Sequence, residues 1–262
     1  MRTNAEPRGG RSIAAVATAL LRVVVFYVFS AVFIPIVILV ALVNPGSSYY
    51  SLVRFWAWLG LKIFAITTVV DGLGKLDSHQ DYVVMANHRS HFDVLVIIDA
   101  LRDRQTRWVA KRELLKVPIF GTGLRVTGQI VINRDDHDQA IRTLRESMRN
   151  RGVSVVFFPE GHRAATTELL PFKKGAAAFA IDAGLPVVPV AVAGSERVLP
   201  TQSWLVHPGT IRVIIGDVID VSSMTAHDRE SLTAAARDAV VQLLRGPDQE
   251  RGTDKKRGVR DV

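Results

Sequence analysis

The segment Asn87-His88-Arg89-Ser90-His91-Phe92-Asp93 brings an imidazole base, a carboxylate and a hydroxyl within one short stretch. His88 and Asp93 stand five positions apart, about 140° around an ideal helix, so they meet only if the chain turns between them. In that case the carboxylate accepts the ring Nδ1–H and leaves Nε2 as a general base near neutral pH. The pair is then the base and orienter of a triad without its enzyme nucleophile, and a substrate hydroxyl takes that part. Three other readings of the same residues stand beside it. Asp93 stabilises a helix N-terminus; Ser90 is a nucleophile, although the Gly-x-Ser-x-Gly elbow is missing; or His88, His91 and Asp93 bind a metal.

Two more clusters carry candidate groups. Phe158-Pro159-Glu160-Gly161-His162-Arg163 follows a strongly apolar run, where open α/β sheets place ligand-binding loops. Glu160 and Arg163 suit hydroxyl and phosphate groups, but a turn with a solvated ion pair explains this motif equally when it is taken singly. Ile132-Asn133-Arg134 ends a short apolar run with an arginine able to fork onto a phosphate. Lys111, Lys173 and Lys174 are further cations near element ends. Each of these basic residues, by itself, is also an ordinary surface charge.

The elements that must position these groups alternate between strand and helix. Tyr82–Ala86, Arg107–Ala110, Gln129–Ile132, Val153–Phe158, Val187–Ala191 and Ile211–Ile215 read as strands. The continuous apolar character of Val153–Phe158 is that of a strand covered on both faces. Helical spacing marks Phe92–Leu101, Asp135–Arg149, Lys174–Ala183 and Ala226–Leu244, the third closed by Gly184. The alternation predicts an α/β fold, a mostly parallel mixed sheet flanked by helices.

Ahead of that domain lies a membrane element. No charge occurs between Val23 and Val53, and about 20 apolar residues suffice to cross a bilayer as a helix. A second apolar stretch, Tyr49 to Val70, carries Arg54 and Lys62 as its only charges. With Ser51 they fall within about 80° of a helical wheel, a cationic stripe suited to lying at headgroup level. Basic residues flank the first run on both sides, so charge bias sets no orientation. A re-entrant hairpin, bent at Pro35 or at Asn44-Pro45-Gly46, is the expected arrangement. We expect a basic flexible arm over 1–11, membrane-associating helices over 12–70, the catalytic domain over 71–244 and a disordered tail over 245–262.

The totals narrow the chemistry. The chain has 262 residues, a net charge of +8 and no cysteine. Thiolate metal sites, disulfides and a cysteine nucleophile are therefore excluded. The basic balance suits phosphorylated substrates or an anionic membrane surface.

Taken together, these segments resemble the glycerolipid acyltransferase family, and specifically its bacterial 1-acylglycerol-3-phosphate acyltransferases. Asn87 to Asp93 matches the block N-H-x-S-x-x-D. Gly128 to Arg134 is similar to a second block that closes on arginine, and Phe158 to Arg163 to F-P-E-G-T-R. Val188-Pro189-Val190-Ala191 is similar to a hydrophobic fourth block, and Ala110–Gly121 and Phe172–Gly175 agree in order and spacing. The resemblance implies that His88 and Asp93 are catalytic and that Asn87 and Ser90 support them. It implies that Arg134, Glu160, Gly161, Arg163 and Lys111 bind the acceptor's phosphate and head group. No cofactor or metal is implied; acyl-CoA or acyl-carrier protein is the co-substrate. The implied partners are a membrane lipid acceptor and an anionic bilayer, not nucleic acid, and the implied location is the cell membrane with the catalytic domain on its cytoplasmic face. His162 in place of Thr, Ala164 in place of Ser and Asn133 in place of Asp leave room for another lyso-lipid acceptor. A metal-dependent phosphohydrolase and a non-catalytic lipid-binding membrane protein are the remoter alternatives.

Overall fold

The computed structural model describes residues 13–44, 48–132, 152–163, 168–201 and 203–257. Helices α1 (Ile13–Val43) and α2 (Ser48–Ile63) precede strand β1 (Ile66–Asp71). Then follow β2 (Val83–Ala86), α3 (Phe92–Ala100), β3 (Gln105–Lys111), α4 (Phe120–Val126) and β4 (Ile130–Ile132). The chain continues through β5 (Val153–Phe157), α5 (Gly175–Ala183), β6 (Val187–Ala193), α6 (Ser195–Val198), β7 (Gly209–Ile215) and α7 (Arg229–Arg257). The helix expected over Asp135–Arg149 lies outside the described residues, as does Arg134.

Among the described residues seven strands form one sheet in the order β1-β7-β6-β2-β5-β3-β4. All neighbours are parallel except β6 and β7, so the mostly parallel mixed sheet is as expected. Alternate side chains of a strand face opposite sides, which divides the core in two. Val84, Ala86, Val156, Val188, Val190 and Val192 pack with Ala57 and Leu61 of α2 and Val96 and Ile97 of α3. On the other face Val83, Met85, Val155 and Phe157 meet Ala176, Ala177 and Ala180 of α5 and Leu232, Ala236 and Val240 of α7. Helices on both faces explain why β2 and β5 are buried at every position.

Three boundaries differ from expectation. The apolar stretch read as one helix from Tyr49 to Val70 splits: α2 ends at Ile63, Ala65 takes a φ of 53°, and Ile66–Asp71 pairs with β7. The β-branched run Ile66-Thr67-Thr68-Val69-Val70 favours a half-buried strand over a helix, so the sheet begins before the expected boundary at residue 71. The cationic stripe also changes, because the Arg54 guanidinium is turned onto the Arg102 carbonyl and the Ser51 hydroxyl. At the C-terminus, α7 runs on to Arg257, past the expected end at Leu244. A polar, charge-mixed sequence cannot build a packed face, but it can prolong a helix already nucleated upstream.

The N-terminal pair forms an antiparallel hairpin. Phe26 packs on Trp56 and Phe64, and Phe33 on Phe55, while Trp56 Nε1–H donates to Ser30 Oγ at 2.9 Å. The helices cross closely at Gly60, where a Cβ would stand 2.7 Å from the Phe26 ring. Helix α1 passes through Pro35 unbroken, so the bend expected there does not occur, and α1 is a continuous helix to Val43. It is long and apolar enough to cross a membrane, and only 11% of its most apolar window is buried.

Candidate active site

Because β2, β5, β3 and β4 are adjacent and parallel, the loops that leave their carboxyl ends share one edge of the sheet. The chain leaves β2 for α3 on one face and leaves β5 for α5 on the other, so a crevice opens between these two strand ends. Residues 87–91 and 158–163 rim it.

Asn87 fixes the start of the first loop. Its buried side chain donates to the Val192 carbonyl at 2.9 Å and accepts from the Val192 N–H at 2.7 Å, tying the end of β2 to β6. Past Asn87 the chain wraps around one oxygen of Asp93, which is fully buried. Oδ2 accepts from Arg89 N–H at 2.7 Å, Ser90 N–H at 2.8 Å and His88 Nδ1–H at 2.8 Å. Asp93 therefore holds the loop that leads into α3 and orients the imidazole with the same oxygen.

Since a carboxylate can only accept, Nδ1 of His88 carries the proton and Nε2 keeps its lone pair. Nε2 makes no hydrogen bond among the described residues. The ring lies flat on Phe158, with centroids 3.9 Å apart and planes 10° apart, and Phe158 leans on Trp108 in turn. The imidazole is thus held by an ion-pair partner at one edge and an aromatic plate on one face, with Nε2 turned from both.

Ser90 is buried, and its hydroxyl donates to the Leu199 carbonyl at 3.2 Å, so it shapes the loop and does not present a nucleophile. His91 is exposed at the rim. Desolvation, then the nearby Arg163 and His88 charges, hold its imidazole below the ordinary histidine value. Among the described residues no group of three His, Cys, Asp or Glu is placed to hold a metal.

Glu160, expected among the head-group ligands, lies below the rim of the crevice. It is only 2% exposed. Oε1 accepts from the His88 backbone N–H at 2.6 Å, and Oε2 from the Leu170 N–H at 3.0 Å. Burial pushes its carboxyl above the usual glutamate value, against the opposing pull of those two bonds and of the Arg89 charge. Its geometry is that of a brace between the two loops. Gly161 follows at a φ of 83°, a left-handed turn that suits glycine, and its N–H closes onto the Phe158 carbonyl at 3.0 Å. Arg163 is half-buried near His91, and Lys111 is exposed at the end of β3 on the same edge. His162 is exposed.

Two contributors have roles that the sequence did not signal, although Phe158 opens a block already singled out. Phe158 reads as an ordinary strand-end aromatic, yet it carries the His88 ring. Arg237 of α7 donates to the carbonyls of Leu169 and Leu170 at 2.9 and 3.3 Å, holding the segment that Glu160 braces. Nothing in the sequence spacing links residue 237 to residue 88.

A family model described as Acyltransferase matches residues 68–193. The chain is 32% identical over 171 residues to a 1-acyl-sn-glycerol-3-phosphate acyltransferase of Haemophilus influenzae, covering 64% of this chain and 70% of that one. The Escherichia coli protein of that name is 31% identical over 177 residues, 66% of this chain and 71% of its own. A chloroplastic relative from Brassica napus is 30% identical over 171 residues, 64% of this chain, and the match spans about half (49%) of its length. Among solved structures, the 1-acyl-sn-glycerophosphate (LPA) acyltransferase PlsC from Thermotoga maritima aligns with a TM-score of 0.71. The alignment covers 87% of this chain and 96% of that one at 24% identity, a likeness of fold.

Proposed function

This chain belongs to the acyltransferase family, and on that premise we propose that it moves a fatty acyl group from an acyl thioester to the free hydroxyl of 1-acylglycerol-3-phosphate, making phosphatidic acid. The observation that carries the reading is the His88–Asp93 pair, buried on the Asp93 side and open at His88 Nε2, at the carboxyl edge of a parallel sheet. In the proposed reaction Nε2 takes the proton of the acceptor hydroxyl as that oxygen attacks the thioester carbonyl. The new C–O ester bond forms, the C–S bond breaks, and the imidazolium returns its proton to the leaving thiolate. Asp93 balances the transient imidazolium charge, and its burial strengthens that interaction.

The donor in this reading is acyl-CoA or acyl-carrier protein. Arg163 and Lys111 are the proposed phosphate ligands within the described residues, joined by Arg134. Glu160 is assigned to bracing His88 and Gly161 to the turn that allows it, both acting on the acceptor through the loops they shape. Membrane association rests on α1, and the reading puts the catalytic domain on the cytoplasmic face. His162, exposed beside Arg163, favours a second reading within the same chemistry, in which another lyso-lipid is the acceptor.

The test is transfer from acyl-CoA and acyl-carrier protein to a panel of lyso-lipids, read by mass spectrometry with purified wild-type and His88→Ala proteins. Phosphatidic acid is the expected product, absent with His88→Ala. A variant that retained most of the activity would remove His88 from the reaction, and a preference for another acceptor would select the second reading.

A further inference from the structure

Between the end of β3 and the start of α4, one stretch of the catalytic domain turns large apolar side chains to solvent. Leu114, Val117, Ile119 and Phe120 are 38%, 45%, 48% and 39% exposed. Around them Lys111, Arg112 and Lys116 are also exposed, with Glu113 as the one acidic residue of the stretch. Isolated apolar residues on a surface need no explanation, but four in seven positions with a cationic fringe do.

The backbone is built to hold them outward. Ile119 sits at a φ of 64°, a region that a β-branched residue occupies only when its surroundings impose it. Two residues on, Gly121 passes so close to the Leu115 carbonyl that a Cβ there would stand 2.2 Å from its oxygen. A turn this tight points Ile119 and Phe120 away from the core that would otherwise receive them.

What lies beside the stretch identifies its occupant. Helix α4, which continues it, packs against α1 at Gly123, where a Cβ would stand 3.7 Å from the side chains of Ile34 and Ile38. Within a quarter turn of Ile38 on the same side of α1, Ala31, Pro35 and Leu42 are exposed. The exposed stretch is thus continuous with the surface of the one helix, among the described residues, that is long and apolar enough to cross a membrane. Apolar side chains with lysine and arginine at their margin match the interface of an anionic bilayer, where the chains enter the acyl boundary and the cations meet head groups.

We propose that residues 112–120 are a second lipid-contacting element, seated shallowly in the interface of an anionic bilayer beside α1. This element follows β3, two strands from β2 in the sheet, so strand spacing sets it roughly 10 Å from the strand that carries His88. The bilayer surface would then reach the catalytic edge itself, and a tailed substrate would have little water to cross.

The absence of cysteine makes the test clean. Single cysteines placed by Val117→Cys and Phe120→Cys, and by Ser223→Cys as an exposed control, carry an environment-sensitive fluorophore in the full chain. Each protein is reconstituted into phosphatidylcholine–phosphatidylglycerol vesicles. Labels at 117 and 120 are expected to shift to the blue and to be quenched by lipids spin-labelled near the head group, with the label at 223 unchanged. Labels at 117 and 120 that stay as aqueous as the control, on protein that floats with the vesicles, would overturn the proposal. So would a shift that appears without lipid and grows with protein concentration, which would give the surface to a second copy of the chain. A shift produced by acyl-carrier protein alone would overturn it equally. None of these readouts depends on acyl transfer.

Discussion

Asp93 spends one oxygen on three donors, and the chemistry of His88 depends on how those donors are shared. Asp93→Asn keeps the shape and an oxygen for the three donors, but it removes the negative charge that partners the positive form of the imidazole. A fall in kcat of about 10⁴-fold is expected, on the scale of orienter loss in triads, with the thermal transition nearly unmoved. Glu160 makes a contrasting case. Glu160→Gln can still accept from one of the two N–H groups but must face the other with an NH₂, costing about 1–3 kcal/mol for the buried group. A loss in kcat with KM for acceptor little changed would show that the residue acts through His88; a rise in KM alone would return it to the head-group site. The pH dependence has a definite sign. Burial raises the Glu160 pKa above its unfolded value, so folding favours the protonated form. The stability this group contributes is present at low pH and is lost as pH rises through the raised pKa. Glu160→Gln should therefore flatten the part of the Tm–pH curve that lies above the ordinary glutamate pKa.

At the scale of elements, the site depends on helices that never touch it. Helix α7 reaches the catalytic loops through Arg237, which holds the Leu169 and Leu170 carbonyls while Leu170 N–H donates to Glu160 and His88 N–H donates to the same carboxylate. Arg237→Met keeps the stem and removes the donors. A loss of about 1–2 kcal/mol in stability is expected from the charged hydrogen bonds, with a larger fractional fall in kcat than in acceptor affinity. The hairpin of α1 and α2 is anchored differently. Gly60 lets the Phe26 ring approach, and Gly60→Leu should cost about 1–3 kcal/mol by overpacking the crossing, measured by denaturant unfolding in detergent. Strand β1 shows why the N-terminal elements were only partly legible. Its apolar run continues that of α2 without a polar break, so hydropathy merges them. The β-branched residues from Ile66 onward were the signal that separates strand from helix.

For the whole molecule, α2 belongs to both parts, since its Ala57 and Leu61 lie in the core beneath the sheet while Phe55 and Trp58 stay exposed. A chain beginning at Ser48 should fold, by circular dichroism, and lose most of its flotation with vesicles; a chain beginning at Ile66 should fail to fold because the α3 side of the core is uncovered. By itself the sequence determined the candidate pair His88 and Asp93, the alternation of elements that makes a mostly parallel sheet, and the long apolar helix. These follow from residue type and local period, which act over a few neighbouring positions. Only the tertiary structure decided that Asp93 serves loop and imidazole at once, that Phe158 carries the ring, and that Glu160 and Arg237 brace the loop. Contacts around the site join residues more than 100 positions apart, as in the bonds of Asn87 to Val192 and of Ser90 to Leu199. They exist because parallel strands bring distant loops to one edge, a consequence of topology that no local spacing encodes. His88 as a base was readable one turn of chain at a time, whereas the brace that holds it still is a property of the assembled sheet.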